Sequence, residues 1–173
     1  MRSLKEFDIP FIGLKLGEHV FDYQLDTAFF DHFEYRDFNT AKLKARVEML
    51  KKENSLELFF RITGSVNLPC DITNELFDLP LDDEMRLVIK FGEEYDDTQE
   101  EVLILPQGEH RLNIAQYLYE LTVRAVPLKR VSPAVQKGEK GQKIREQLTS
   151  ERPEEALKEE IDPRWDKLKD LLN

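Results

Sequence analysis

Between Ala41 and Phe91 apolar and polar residues alternate through three successive runs, a period of two that suits extended strands with one buried face. Ala41, Leu43, Ala45, Val47 and Met49 share one parity, opposed by Lys42, Lys44, Arg46 and Glu48. The turn-prone Lys52-Glu53-Asn54 that follows predicts a hairpin. The second run places Leu56, Leu58, Phe60, Ile62, Val66 and Leu68 on one face, with Gly64 as a candidate bulge. After a turn over 69–74, the third run carries Phe77, Leu79, Leu81, Met85, Leu87, Ile89 and Phe91, and Pro80 with Asp82-Asp83 is expected to break or kink it. Three alternating strands on short turns make an antiparallel meander whose apolar face needs a cover.

Residues 113–125 supply that cover. Ile114, Leu118, Leu121 and Ala125 recur at helical spacing, Asn113 and Gln116 resemble a capping box, and Pro127 stops the helix. Upstream, Phe21, Tyr23 and Leu25 alternate with Asp22, Gln24 and Asp26, and Phe7, Ile9 and Phe11 alternate likewise, which predicts an N-terminal hairpin. Phe29, Phe30, Phe33 and Tyr35 fit a short helical turn that places aromatics on the core. Glu93 to Glu101 reads as an acidic loop before a short final strand over 102–105. The predicted class is α+β: an antiparallel, curled sheet under one main helix.

Charge divides the chain. Its net charge is −10, yet residues 1–128 hold 14 Lys and Arg against 25 Asp and Glu, whereas residues 129–173 hold 11 against 10. An acidic body opposes non-specific attraction to nucleic acid, which depends on cations displacing counterions from phosphate. From 132 to 162 apolar periodicity is lost and charges fall into blocks, so these residues cannot bury enough surface to offset their ordering entropy. The expected organisation is a domain over 1–128, a flexible charged linker over 129–162 and a short amphipathic helix over 163–173. Asp162 as N-cap and Pro163 at the first helical position start that helix, which carries Trp165, Leu168, Leu171 and Leu172 on one side.

Few residues carry candidate chemistry. The single cysteine, Cys70, excludes an intrachain disulfide and a closed all-cysteine zinc site. It could act as a nucleophile only beside a base that lowers its pKa, and no thiol-enzyme signature surrounds it. His19, His32 and His110 are scattered, without ligand spacing. The acidic run 93–101 has no calcium-loop register, and adjacent carboxylates at Asp82-Asp83-Glu84 point to opposite faces of a strand, which makes them a solubilising turn and not an acid–base pair. No cofactor, metal or small-molecule substrate is expected. Lys129, Arg130, Lys137, Lys140, Lys143 and Arg145 form a basic arm that either follows a phosphate backbone or keeps the linker soluble, and no aromatic interleaves with it to stack on bases. The terminal stripe either docks on its own domain or offers Trp165 as an anchor to a partner. No apolar stretch reaches membrane-spanning length and the first ten residues lack a secretory run, which predicts a cytoplasmic protein.

Three segments carry a family resemblance: Gly64 to Phe77 (GSVNLPCDITNELF), Arg111 to Pro127 (RLNIAQYLYELTVRAVP) and Asp162 to Leu172 (DPRWDKLKDLL). In order and spacing they resemble the YceD family of large ribosomal RNA subunit accumulation proteins, in the form typical of Bacteroidetes-like bacteria. That family's first segment usually ends in Cys-x-x-Cys. Here Cys70 matches the first cysteine and Thr73 stands at the second, while Lys129, Arg130 and Ser132 occupy the stretch where many members carry a His or a further Cys. The resemblance implies a role in ribosome biogenesis, and the expected activity is non-enzymatic, with a large-subunit ribosomal protein or pre-ribosomal RNA as partner. The competing classes are a hydrolase or thiol enzyme using Cys70 or the acidic clusters, and a general interaction module unrelated to ribosomes.

Overall fold

The computed structural model describes residues 4–99, 101–136 and 138. Its main sheet has six strands in the order β2-β3-β4-β5-β7-β6, built from β2 (Gly17–Asp26), β3 (Thr40–Lys51), β4 (Ser55–Pro69), β5 (Leu76–Gly92), β6 (Asp96–Gln99) and β7 (Val102–Pro106). All neighbours are antiparallel except β5 and β7. The sheet stays open, with β2 and β6 as its edges. A second, two-stranded sheet joins β1 (Asp8–Ile9) to β8 (Leu112–Asn113), and the helices are α1 (Thr27–Asp31), α2 (Ala115–Ala125) and α3 (Pro133–Gln136). The fold is α+β, as the alternation and the one strong helical period imply.

The alternating runs become β3, β4 and β5, and their parity becomes the division between core and solvent. Ala41, Leu43, Ala45, Val47, Met49, Leu58, Phe60, Ile62, Leu87 and Ile89 are all buried. Helix α2 covers this face with Leu118 and Leu121, and the buried Thr122 hydroxyl donates back to the Leu118 carbonyl at 2.8 Å, so no polar group is stranded there. Phe29 and Phe30 of α1 join Phe7, Phe33 and Phe38 in an aromatic cluster, and Phe33 stacks on Tyr119 of α2 with ring centroids 4.4 Å apart.

Several local expectations are corrected. Gly64 makes no bulge, since the β3–β4 and β4–β5 ladders run through it in unbroken register, Leu43↔Gly64↔Leu81. Pro80 breaks nothing either. At that point β5 is paired only with β4, because β7 joins it no earlier than Val88, and an edge position tolerates a missing N–H. Asp82 and Asp83 therefore sit within a strand and not in a turn. Asp82 pairs with Arg61 at 3.0 Å, and Asp83 pairs with Arg124 at 3.1 Å, which also donates to the Glu84 carbonyl and ties α2 to β5.

The N-terminal hairpin does not form. Phe7, Ile9 and Phe11 are buried as their alternation implies, but Pro10 limits the strand to two residues and these pair with β8. The capping box fails for a related reason. Asn113 Oδ1 accepts the Ala115 N–H at 3.0 Å while its Nδ2 donates to the Leu4 carbonyl and to Asp8, and Gln116 turns to Glu120 instead of reaching back. The last correction is β6: part of the acidic loop is an edge strand, and β7 inserts between it and β5.

Candidate functional site

Among the described residues, three surfaces hold the groups capable of recognition or chemistry. The first is the corner where β4 ends. Cys70 is 2% exposed, its N–H donates to the Glu75 carbonyl and its own carbonyl accepts from Asn74, whose φ of 56° closes the turn. Across this corner lies the stretch from Arg130 to Ser132. Asp71 N–H donates to the Arg130 carbonyl at 2.8 Å, Arg130 N–H donates to Asp71 Oδ2 at 2.7 Å, and the Arg130 guanidinium meets Asp71 at 3.2 Å and Asp37 at 3.5 Å. Ser132 N–H then donates to Cys70 Sγ at 3.5 Å.

These donors set the state of the sulfur. Burial pushes the Cys70 thiol up, but the N–H groups of Ser132, Ile72 and Thr73 with the Thr73 hydroxyl outweigh it, and the pKa falls to about 6. These donors thus favour the thiolate at neutral pH. Because the folded pKa lies below the unfolded one, the stabilisation is complete above the unfolded value near 9 and disappears as pH falls through about 6. The urea midpoint of the protein should therefore rise from about pH 6 to about pH 9 relative to that of Cys70→Ala. Parallel pH profiles for the two proteins would refute a stabilised thiolate.

The second surface is the outward face of the sheet. Asp22, Arg46, Arg61 and Glu84 lie in one cross-strand row, and Arg46 pairs with Glu48, Arg61 with Asp82, and Arg86 with Glu57. Arg86 also lies over the Phe59 ring at 5.6 Å. Charges of both signs answer one another within this face, which keeps an open sheet soluble and leaves little net potential for a partner.

The third is a groove of about 620 Å³ between the N-terminal half of α2 and the β5–β7–β6 end of the sheet. Leu87, Leu103 and Leu105 form part of its floor, Tyr95 and Tyr117 its aromatic wall, and Asp97, Glu109 and Glu120 its acidic rim. Tyr95 donates its hydroxyl proton to Asp97 at 3.2 Å. Burial is the main reason that the Tyr117 phenol is pushed far above its ordinary value, and Tyr95, Asp97 and Glu120 raise it further. Among the described residues the one cation on the lining is Arg111, which faces Asp8 at 3.6 Å.

Of the residues singled out in the sequence, Cys70 and Arg130 meet at the first corner and Lys129 is exposed beside it. Lys137, Lys140, Lys143, Arg145, Trp165, Leu168 and Leu172 lie outside the described residues. The compact unit that holds both sheets and α2 ends at Ser132. Sequence reasoning passed over the groove. Its one local signal was Tyr95, an aromatic inside an acidic run. Among the described residues no group of three His, Cys, Asp or Glu side chains comes together to hold a metal, and no helix is long and apolar enough to cross a membrane.

No curated protein and no solved structure matches the chain. Residues 58–172, more than half of its length, match the family described as Large ribosomal RNA subunit accumulation protein YceD. The match opens inside β4 and takes in the Cys70 corner, every wall of the groove and α2. The chain belongs to the YceD family, whose name ties it to accumulation of the large ribosomal subunit's RNA.

Proposed function

We propose that this protein is a non-enzymatic assembly factor that supports accumulation of large-subunit ribosomal RNA in the cytoplasm by binding a large-subunit ribosomal protein, with contact to pre-ribosomal RNA as a supplement. The family match over 58–172 carries this reading. The charge of the body supports the order of partners. With 25 acidic against 14 basic residues over 1–128, it repels phosphate and attracts the cationic surface that a ribosomal protein presents before it meets RNA. Lys129, Lys137, Lys140, Lys143 and Arg145 are the proposed RNA contacts, since a basic arm can reach phosphates that the body repels. Trp165, Leu168 and Leu172 are the proposed apolar anchor for the protein partner.

Depleting the protein from its host should lower the ratio of large- to small-subunit ribosomal RNA, and re-expression should restore it. An unchanged ratio after complete depletion would end this reading and leave a general interaction module in its place.

A further inference from the structure

We propose that the groove between α2 and the β7–β6 edge is a docking site for an extended, arginine-rich segment of a partner protein. The proposal rests on the function above for its biological setting and on the groove's own chemistry for its ligand class. Three carboxylates, Asp97, Glu109 and Glu120, rim a cavity whose one cation among the described residues, Arg111, faces Asp8. An anionic ligand would meet those carboxylates at close quarters, which excludes phosphate backbones and acidic peptides.

The floor and wall narrow the choice among cations. Beside the floor, the half-buried Met85, Val102 and Pro106 suit the methylene stem of a long side chain, which buries along apolar surface while its charged head stays at a polar rim. Tyr95 and Tyr117 present aromatic surface beside Asp97 and Glu120, so a planar guanidinium can stack on a ring and pair with a carboxylate at once. An ammonium can pair but cannot stack in the same way, which favours arginine over lysine.

The geometry of the edge favours an extended segment. Asp97, Thr98 and Gln99 line the groove from β6, the outermost strand, which among the described residues pairs with β7 alone. Thr98 N–H donates to Asp96 Oδ1 at 2.9 Å, and a peptide backbone can lie along the rest of this edge, as in strand addition.

The test measures binding of three fluorescent probes to the full chain by anisotropy: a short arginine-rich peptide, a glutamate-rich peptide of equal length and a uridine homopolymer RNA. The arginine peptide should bind best. Its affinity should fall about tenfold in the combined variant Asp97→Asn, Glu109→Gln, Glu120→Gln, the loss expected when several rim charges are removed together. Tyr95→Ala should weaken it independently, and raised salt should weaken wild-type binding more than that of the combined variant. Because Tyr95 is 57% exposed, that substitution leaves the core in place.

Affinity unchanged in the combined variant, preference for RNA or the acidic peptide, or failure of the full chain to bind the arginine peptide would each overturn the proposal. Tight arginine-peptide binding together with unchanged ribosomal RNA after depletion would retain the groove and reject the ribosomal role. An altered ratio with no peptide binding would do the reverse.

Discussion

Gly64→Ala is expected to destabilise the protein by at least about 3 kcal/mol, because two penalties of backbone origin coincide there. A Cβ at this position would lie 2.2 Å from the Lys42 carbonyl oxygen and 2.9 Å from Leu43 Cα, both in the neighbouring strand β3. Neither atom belongs to a side chain that can rotate away. Relief would require β3 and β4 to separate in the middle of a continuous ladder, Leu43↔Gly64↔Leu81. Gly64 also has φ of +148°, a conformation that side-chain-bearing residues rarely adopt. Gly108→Ala is the matched control: nothing lies within 4 Å of its Cβ and its φ is ordinary, so its stability should change by less than about 0.5 kcal/mol. Equal urea midpoints for the two variants would contradict the close β3–β4 approach.

Phe30→Ala should cost about 3–5 kcal/mol, the range for deleting a fully buried aromatic ring. Phe30 is 0% exposed and stands edge-on to Phe29 at 5.0–5.1 Å centroid separation, as it does to Phe38. Its ring fills the centre of the cluster beneath α1, and the surrounding aromatics are too rigid to collapse into the void. Phe59→Ala removes the same atoms from the opposite face of the sheet, where Phe59 is 44% exposed beside Arg86, and should cost less than about 1 kcal/mol. Thermal melts of the pair measure the sidedness of the sheet. Similar losses in the two would mean that the outward face is packed against something as the inward face is.

That sidedness was legible in the sequence because a strand's side chains alternate by necessity. Ala41 through Met49 and Leu56 through Leu68 announce their buried face from parity alone. Parity says nothing of which strand lies beside which. Phe7-x-Ile9-x-Phe11 is correctly apolar, yet its partner is β8, more than a hundred residues away, and no local pattern encodes that choice. Pro80 misled for the same reason. Whether a proline breaks a ladder depends on the presence of a second neighbour, and β7 reaches only the far end of β5.

The groove was illegible on similar grounds. Tyr95 comes from the stretch before β6 and Tyr117 from α2, and they share a wall only because β7, parallel to β5, slots in between β5 and β6 and α2 lies over that end. Cys70 stood out as the lone cysteine, but its depressed pKa depends on the Ser132 N–H, which arrives from the far end of the compact unit. Arg130 reads as one cation among six in the sequence. In the fold it spends its charge on Asp71 and Asp37.

The ratio of large- to small-subunit ribosomal RNA, in cells whose native copy is replaced by the Asp97→Asn, Glu109→Gln, Glu120→Gln variant at matched protein level, decides whether the body works by holding a cationic partner. The expected result is the low ratio of the depleted strain, with Cys70→Ala restoring the wild-type ratio in parallel. A wild-type ratio in the groove variant, or a ratio that fails only in Cys70→Ala, would contradict a holding role and return attention to the thiolate.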